Sequence, residues 1–157
     1  DKLFISIMEN STIVFRPTDF TNQNEIINFF KQIFHYSKYN GRIILTSRHD
    51  NFNCALINEL KLRFDQKDFW TTKKFTNCKT NSLEEMKKIL GKQLRIFTTT
   101  NEYLHERQIL MGNCILEFDD SFDKIDFETK TWHCTLSISQ TLTLEKINSK
   151  KPYLKRL

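Results

Sequence analysis

The chain has 157 residues, a formal net charge of +5, fourteen phenylalanines, three glycines and two prolines. That length supports one domain with a sizeable core, and a Phe-rich, Gly- and Pro-poor composition excludes a disordered or low-complexity chain. No run approaches the roughly 18 apolar residues of a membrane span, and the opening "DKLFISIMEN" has none of the parts of a signal peptide.

"LFISIM" and "TIVFRP" are β-prone runs, the second closed by Pro17. "TNQNEIINFFKQIFHYSKYNG" reads as a helix: Thr21 or Asn22 can cap it, Ile26, Phe29, Phe30, Ile33 and Phe34 recur at helical spacing, and Gly41 stops it. "RIILTS" is a short apolar strand. "NFNCALINELKLRF" is a second amphipathic helix with Leu56, Ile57, Leu60 and Phe64 on one face.

From 65 to about 80 the chain is polar and basic, with Trp70 and Phe75 embedded in it. "SLEEMKKILGK" predicts a short helix with Ser82 and Glu85 as a capping box. "QLRIFTTT" and "RQILMGNCILEF" predict strands, Gly112 marking a turn or bulge in the latter. "TWHCTLSISQTLTLEKI" alternates apolar and polar residues as a half-buried strand does, and the tail "KINSKKPYLKRL" is basic. Helices between β runs favour an α/β fold, a mixed sheet with helices packed on it.

Four cysteines, Cys54, Cys78, Cys114 and Cys134, show no close pair, so neither a zinc site nor any other metal or cofactor is expected, and a reduced intracellular protein is the simpler reading. The absence of a starting Met suggests a domain excised from a longer protein.

His105-x-Arg107 in "YLHERQILMGNCILEFDDSFD" is the strongest chemical signal. On a strand, alternate residues point the same way, so this pair can hold an anionic phosphate, His as nucleophile and Arg as clamp. A phosphodiesterase of the phospholipase D type uses H-x-K, four intervening residues and then Asp, in two facing copies; here Arg replaces Lys, Gly112 stands at the later position, and one chain carries one copy. The alternative is structural: Arg107 pairs with Glu117 or Asp119 while His105 hydrogen-bonds to backbone. His133-x-Thr135 and His35-x-Ser37 resemble a split pair of 2H-phosphoesterase motifs, although His35 falls at the end of a helix. His49, beside Asp50, suggests nothing firm.

Basic residues form two groups, Lys73, Lys74 and Lys79 near Trp70 and Phe75, and Lys146, Lys150, Lys151, Lys155 and Arg156 around Tyr153. Cations mixed with aromatics suit an anionic membrane surface or single-stranded nucleic acid.

The stretch "YLHERQILMGNCILEFDDSFDKID" resembles the signature of the phospholipase-D-like C-terminal domain of the MIT-domain protein of cytokinetic abscission. His105 and Arg107 match the family's L-H-D-R-E-I segment, Glu106 stands for its Asp, and "NEIINFFKQIFHYSKYNGRIILTS" and "ALINELKLRF" resemble its helices and following strand. The family's glycine-rich "G-R-G" is replaced by "FDDS", and residues 65–92 look like an insertion in a single domain spanning 1–157.

The resemblance implies half of a phospholipase D fold that forms a homodimer and binds anionic phospholipid without hydrolysing it. It implies a cytoplasmic protein peripheral to membranes, meeting ESCRT-III subunits only through an MIT domain not found in these residues. His105 and Arg107 are then expected as buried organisers of an ancestral site able to hold a phosphate, with Glu106 between them in the motif, and the lysines and Arg156 as the working surface. An active phosphodiesterase or nuclease, with His105 from each protomer, and a nucleic-acid-binding module are the rival expectations.

Overall fold

A computed structural model describes residues 11–37, 43–48, 54–72, 75 and 83–157. Its strands are β1 (Thr12–Phe15), β2 (Ile43–Thr46), β3 (Gln66–Thr72), β4 (Gln93–Thr99), β5 (Arg107–Leu110), β6 (Cys114–Phe118), β7 (Cys134–Ile138) and β8 (Lys155–Arg156). They make one mixed sheet in the order β1-β7-β6-β5-β2-β3-β4-β8. The pairs β2–β3 and β3–β4 are parallel and the remaining pairs antiparallel. Four α-helices flank the sheet among the described residues: α1 (Gln23–Tyr36), α2 (Ala55–Arg63), α3 (Leu83–Leu90) and α4 (Gln140–Lys150).

Strand alternation splits the core in two. One face of the sheet, with Leu45, Phe69, Ile96, Ile109 and Leu116, packs on Phe30, Leu60 and Met86 of α1, α2 and α3. The other, with Ile44, Trp70, Leu110 and Ile115, packs on Leu104 and on Ile147 of α4.

α1 forms where its punctuation predicts. The Asn22 side chain accepts from the Glu25 amide at 3.0 Å, satisfying one of the donors a helix start leaves unpaired. Gly41, Ser82 and the "LFISIM" run lie outside the described residues, as do His49 and Asp50. The turn at Gly112 is a tight hairpin, the Met111 amide donating to the Cys114 carbonyl at 3.0 Å.

Two expectations need correction. Residues 65–92, taken for an insertion, contribute an interior strand: β3 is hydrogen-bonded to β2 on one side and β4 on the other. Two of its charged residues are satisfied internally. Lys67, 1% exposed, donates its ammonium to the Phe64 carbonyl at the end of α2, and Asp68 takes a bidentate pair of bonds from Arg95 on β4 at 2.8 and 2.7 Å.

Second, the alternating run from Trp132 to Ile147 is not one strand. β7 ends at Ile138, and Ser139 starts α4 by accepting from the Leu142 amide at 3.1 Å. The T-L-T-L alternation is overridden by the cap, and Thr143 and Ile147, four apart, become the buried face while Leu142 and Leu144 are exposed. The basic tail forms a 3-10 turn at Lys151–Tyr153 that leads into β8.

Candidate functional site

The topology brings four strand ends together. β2 ends at Thr46 beside the start of β5, β5 starts opposite the end of β6, and β6 ends opposite the start of β7. At this corner lies an open cleft of about 360 Å³ lined by Arg48, His105, Glu106, Arg107, Glu117, Phe118 and Asp119. His105 and Arg107 line the same cleft. Gly112 sits in the hairpin at the opposite end of β5, so the aspartate missing there is no carboxylate lost from this cleft.

His105 is not a strand residue. β5 begins only at Arg107, so His105 and Glu106 belong to the connection from β4. His105 is exposed, and Glu106 and Arg107 are half-buried, which corrects the expectation of buried organisers.

The backbone here is tied down by Thr46 and Arg48. The buried Thr46 hydroxyl donates to the Glu106 carbonyl at 3.0 Å and accepts from the Gln108 amide at 3.1 Å. Arg48, two residues past β2, donates from Nε to the Leu104 carbonyl and from Nη2 to the Asn101 carbonyl at 2.6 Å.

The same Nη2 lies 2.6 Å from His105 Nδ1, and His105 Nε2 lies 2.7 Å from the Glu102 carbonyl. A guanidinium only donates and a carbonyl only accepts. The imidazole therefore carries its proton on Nε2 and spends its one lone pair, on Nδ1, accepting from Arg48. Half of the structural alternative thus holds: His105 bonds to backbone.

The three acids of the cleft are each engaged. Glu117 accepts from Gln108 Nε2 at 2.6 Å. Asp119 binds His133 Nδ1 at 2.7 Å and the His133 amide at 2.8 Å, a contact that draws His133 to the mouth of β7. Glu106 receives Lys146 Nζ at 2.9 Å and Lys150 Nζ at 3.0 Å. Burial pushes the Glu106 carboxyl up, but the hydrogen bonds and charges of the two lysines outweigh it and hold the group at about 2.

Two of the predicted surface cations are therefore committed inside the molecule, Lys150 with only 12% of its side chain exposed. Lys150 also donates to the Tyr103 carbonyl at 2.9 Å. Lys151, Lys155 and Arg156 are exposed, and Lys73, Lys74 and Lys79 lie outside the described residues.

His35 sits on the last turn of α1, so no strand-borne partner for His133-x-Thr135 is assembled from it. Among the described residues no three His, Cys, Asp or Glu side chains converge as metal ligands, and no helix is long and apolar enough to cross a membrane. Burial pushes the Cys114 thiol up to about 12 and that of Cys134 well above its ordinary value, which leaves both unreactive.

Sequence reasoning missed Arg48. It stands 57 residues before His105, and its only signal was its place directly after an apolar strand.

No protein-family model matches the chain, and no curated protein matches it by sequence. Solved structures do. The chain is similar to Nuc of Salmonella typhimurium, a phospholipase D family member, with a TM-score of 0.57, 11% identity, 94% of this chain covered and 97% of that one. It is similar to NucT from Helicobacter pylori, with a TM-score of 0.62, 9% identity and coverages of 91% and 94%. It also resembles phosphatidylserine synthase of Haemophilus influenzae, with a TM-score of 0.59, 11% identity and coverages of 94% and 39%. At such identities the likeness carries the fold: a mixed, helix-flanked sheet of the phospholipase D type.

Proposed function

We propose that this chain is a non-catalytic phospholipase-D-like domain that associates with anionic phospholipid, as the resemblance to the C-terminal domain of the abscission MIT protein implies. One observation carries the non-catalytic half: a histidine nucleophile needs a free lone pair aimed at phosphorus, and the lone pair of His105 is spent on Arg48.

The binding half rests on the rim at the C-terminus. Lys151, Lys155 and Arg156 are exposed, and each such cation near an anionic leaflet contributes about 1 kcal/mol, so the three together favour charged over neutral bilayers by about 3 kcal/mol. Homodimerisation, a peripheral cytoplasmic location and a link to ESCRT-III through a separate MIT domain belong to the same proposal.

Vesicle sedimentation tests it. Vesicles containing phosphatidylserine or a phosphoinositide should retain the protein at low salt and release it as salt rises, while phosphatidylcholine vesicles should not. Failure to bind any anionic vesicle at low salt overturns the reading.

The alternative is a phosphodiesterase or nuclease of phospholipase D type, and one observation favours it: His105 is exposed and shares an open cleft with Arg107, in a fold like that of Nuc. It requires wild-type turnover of a phosphodiester that His105→Ala abolishes without loss of fold.

A further inference from the structure

The cleft does not use the most unusual surface of the molecule. Tyr103, in the connection after β4, and Tyr153, in the turn before β8, stack face to face with ring centres 3.9 Å apart and 8° between their planes. Neither is buried by the stack: Tyr103 is 37% exposed and Tyr153 48%. Lys150 fixes one side of the pair through the Tyr103 carbonyl, so the stack is a built feature held at the sheet's edge.

The surroundings are cationic. Lys151 precedes Tyr153 by two residues, and Lys155 and Arg156 form the edge strand, where alternation sends one to each side of the rim. Glu102 stands next to Tyr103, and its charge, followed by burial and by Tyr153, pushes the Tyr103 phenol up. The rim therefore combines two stacked aromatic rings with polar tips and three exposed cations.

Amphipathic rings settle at the headgroup level of a bilayer, with ring body toward the acyl chains and hydroxyl in the wet layer. Single-stranded nucleic acid takes aromatics differently, by stacking a base on an open ring face. Here each tyrosine already spends one face on the other, an arrangement that suits insertion of the pair as a unit better than base stacking.

We propose that the Tyr103–Tyr153 stack is the membrane anchor of this domain, entering the headgroup layer of an anionic bilayer while Lys151, Lys155 and Arg156 contact lipid phosphates around it. This inference rests on the lipid-binding reading above and locates it on one edge of the sheet.

The test uses the full chain and vesicles of phosphatidylcholine with or without phosphatidylserine. The double variant Tyr103→Ala/Tyr153→Ala should bind phosphatidylserine vesicles on the order of tenfold more weakly than wild type, from the interfacial area lost, while keeping its salt dependence. In Tyr153→Trp, the added indole should shift its emission to the blue on such vesicles and be quenched by lipids brominated high in the acyl chain. Trp70 and Trp132 are buried and supply a constant background.

Wild-type binding with an unweakened double variant and an unquenched indole overturns the anchor and leaves lipid binding to another surface. No wild-type binding to anionic vesicles overturns both proposals. Binding of a single-stranded oligonucleotide that depends on Tyr153, with no vesicle binding, overturns the anchor in favour of nucleic acid.

Discussion

Glu106 occupies the middle of the His105-x-Arg107 motif, yet its carboxylate faces α4 and receives both Lys146 and Lys150. Replacing it with Gln keeps its shape and removes the charge. The carboxyl stands at 4.5 in the unfolded chain and at about 2 when folded. At about 1.36 kcal/mol for each pH unit between the two values, the clamp is bounded at about 3 kcal/mol. Some 27% of the side chain still meets water, and that screening reduces the figure to about 2 kcal/mol.

The folded value lies below the unfolded one, so this stability is complete above pH 4.5 and is lost as pH falls toward about 2. Urea unfolding of wild type and Glu106→Gln should therefore differ by about 2 kcal/mol at pH 7, or roughly 4–8 °C in Tm for a chain of this size. The gap should narrow to under about half of that at pH 2.5, where the carboxyl is protonated in the unfolded chain and partly so in the folded one. Every other titrating group is common to both proteins and cancels in the difference. A gap that is the same at both pH values, or no gap at pH 7, refutes the clamp.

Arg48→Met removes three hydrogen bonds from the 101–105 connection and should cost about 2 kcal/mol, with faster amide exchange confined to that segment; unchanged protection there rejects the pin. Nitrogen NMR should find the His105 proton on Nε2 in wild type, and the Nδ1 tautomer would contradict the geometry that argues against a nucleophile. Trp70→Ala should destabilise by about 3–5 kcal/mol because the ring is 2% exposed in the interior of the sheet, whereas a Trp in a solvated insertion would cost almost nothing on removal. Gly91 ends α3 at φ +112°, so Gly91→Ala should cost about 1 kcal/mol or more by denaturant melt even though the new methyl meets nothing closer than Lys67 Nζ at 3.7 Å.

What the sequence revealed depended on whether local pattern and tertiary role agreed. In α1 they did: five apolar residues at helical spacing follow an Asn cap, and all but Phe29 are buried. In β3 they did not, because Gln66, Lys67 and Asp68 read as solvated loop. Lys67 is buried against a carbonyl supplied by the end of α2, and Asp68 against an arginine 27 residues on, neither of which a local window can see. α4 was hidden by a T-L-T-L alternation that one serine cap outweighs.

The site was legible in part. His105 and Arg107 do line one cleft, but Arg48, Glu117 and Asp119 reach it only through strand order. Lys146 and Lys150 offered a signal that went unread. Two lysines four apart on one helix face repel unless an acid comes between them, and Glu106 is that acid.

The segment 101–106 lies between cleft and rim and is gripped from both sides. Arg48 holds Asn101, Leu104 and His105 from the β2 end, and Lys150 holds Tyr103 and Glu106 from α4. In this arrangement the histidine of an enzyme-like motif is a hydrogen-bonded strut, and the residue between it and the arginine bolts the segment to a helix. Rigidity there has a consequence at the surface, since Tyr103 can stack on Tyr153 only if its backbone is fixed in place. Loosening the cleft should therefore weaken the rim. Arg48→Met, which touches no rim residue's side chain, should lower affinity for anionic vesicles together with the order of Tyr103. Unimpaired vesicle binding by a folded Arg48→Met protein would separate the two surfaces and leave the motif without a role in membrane association.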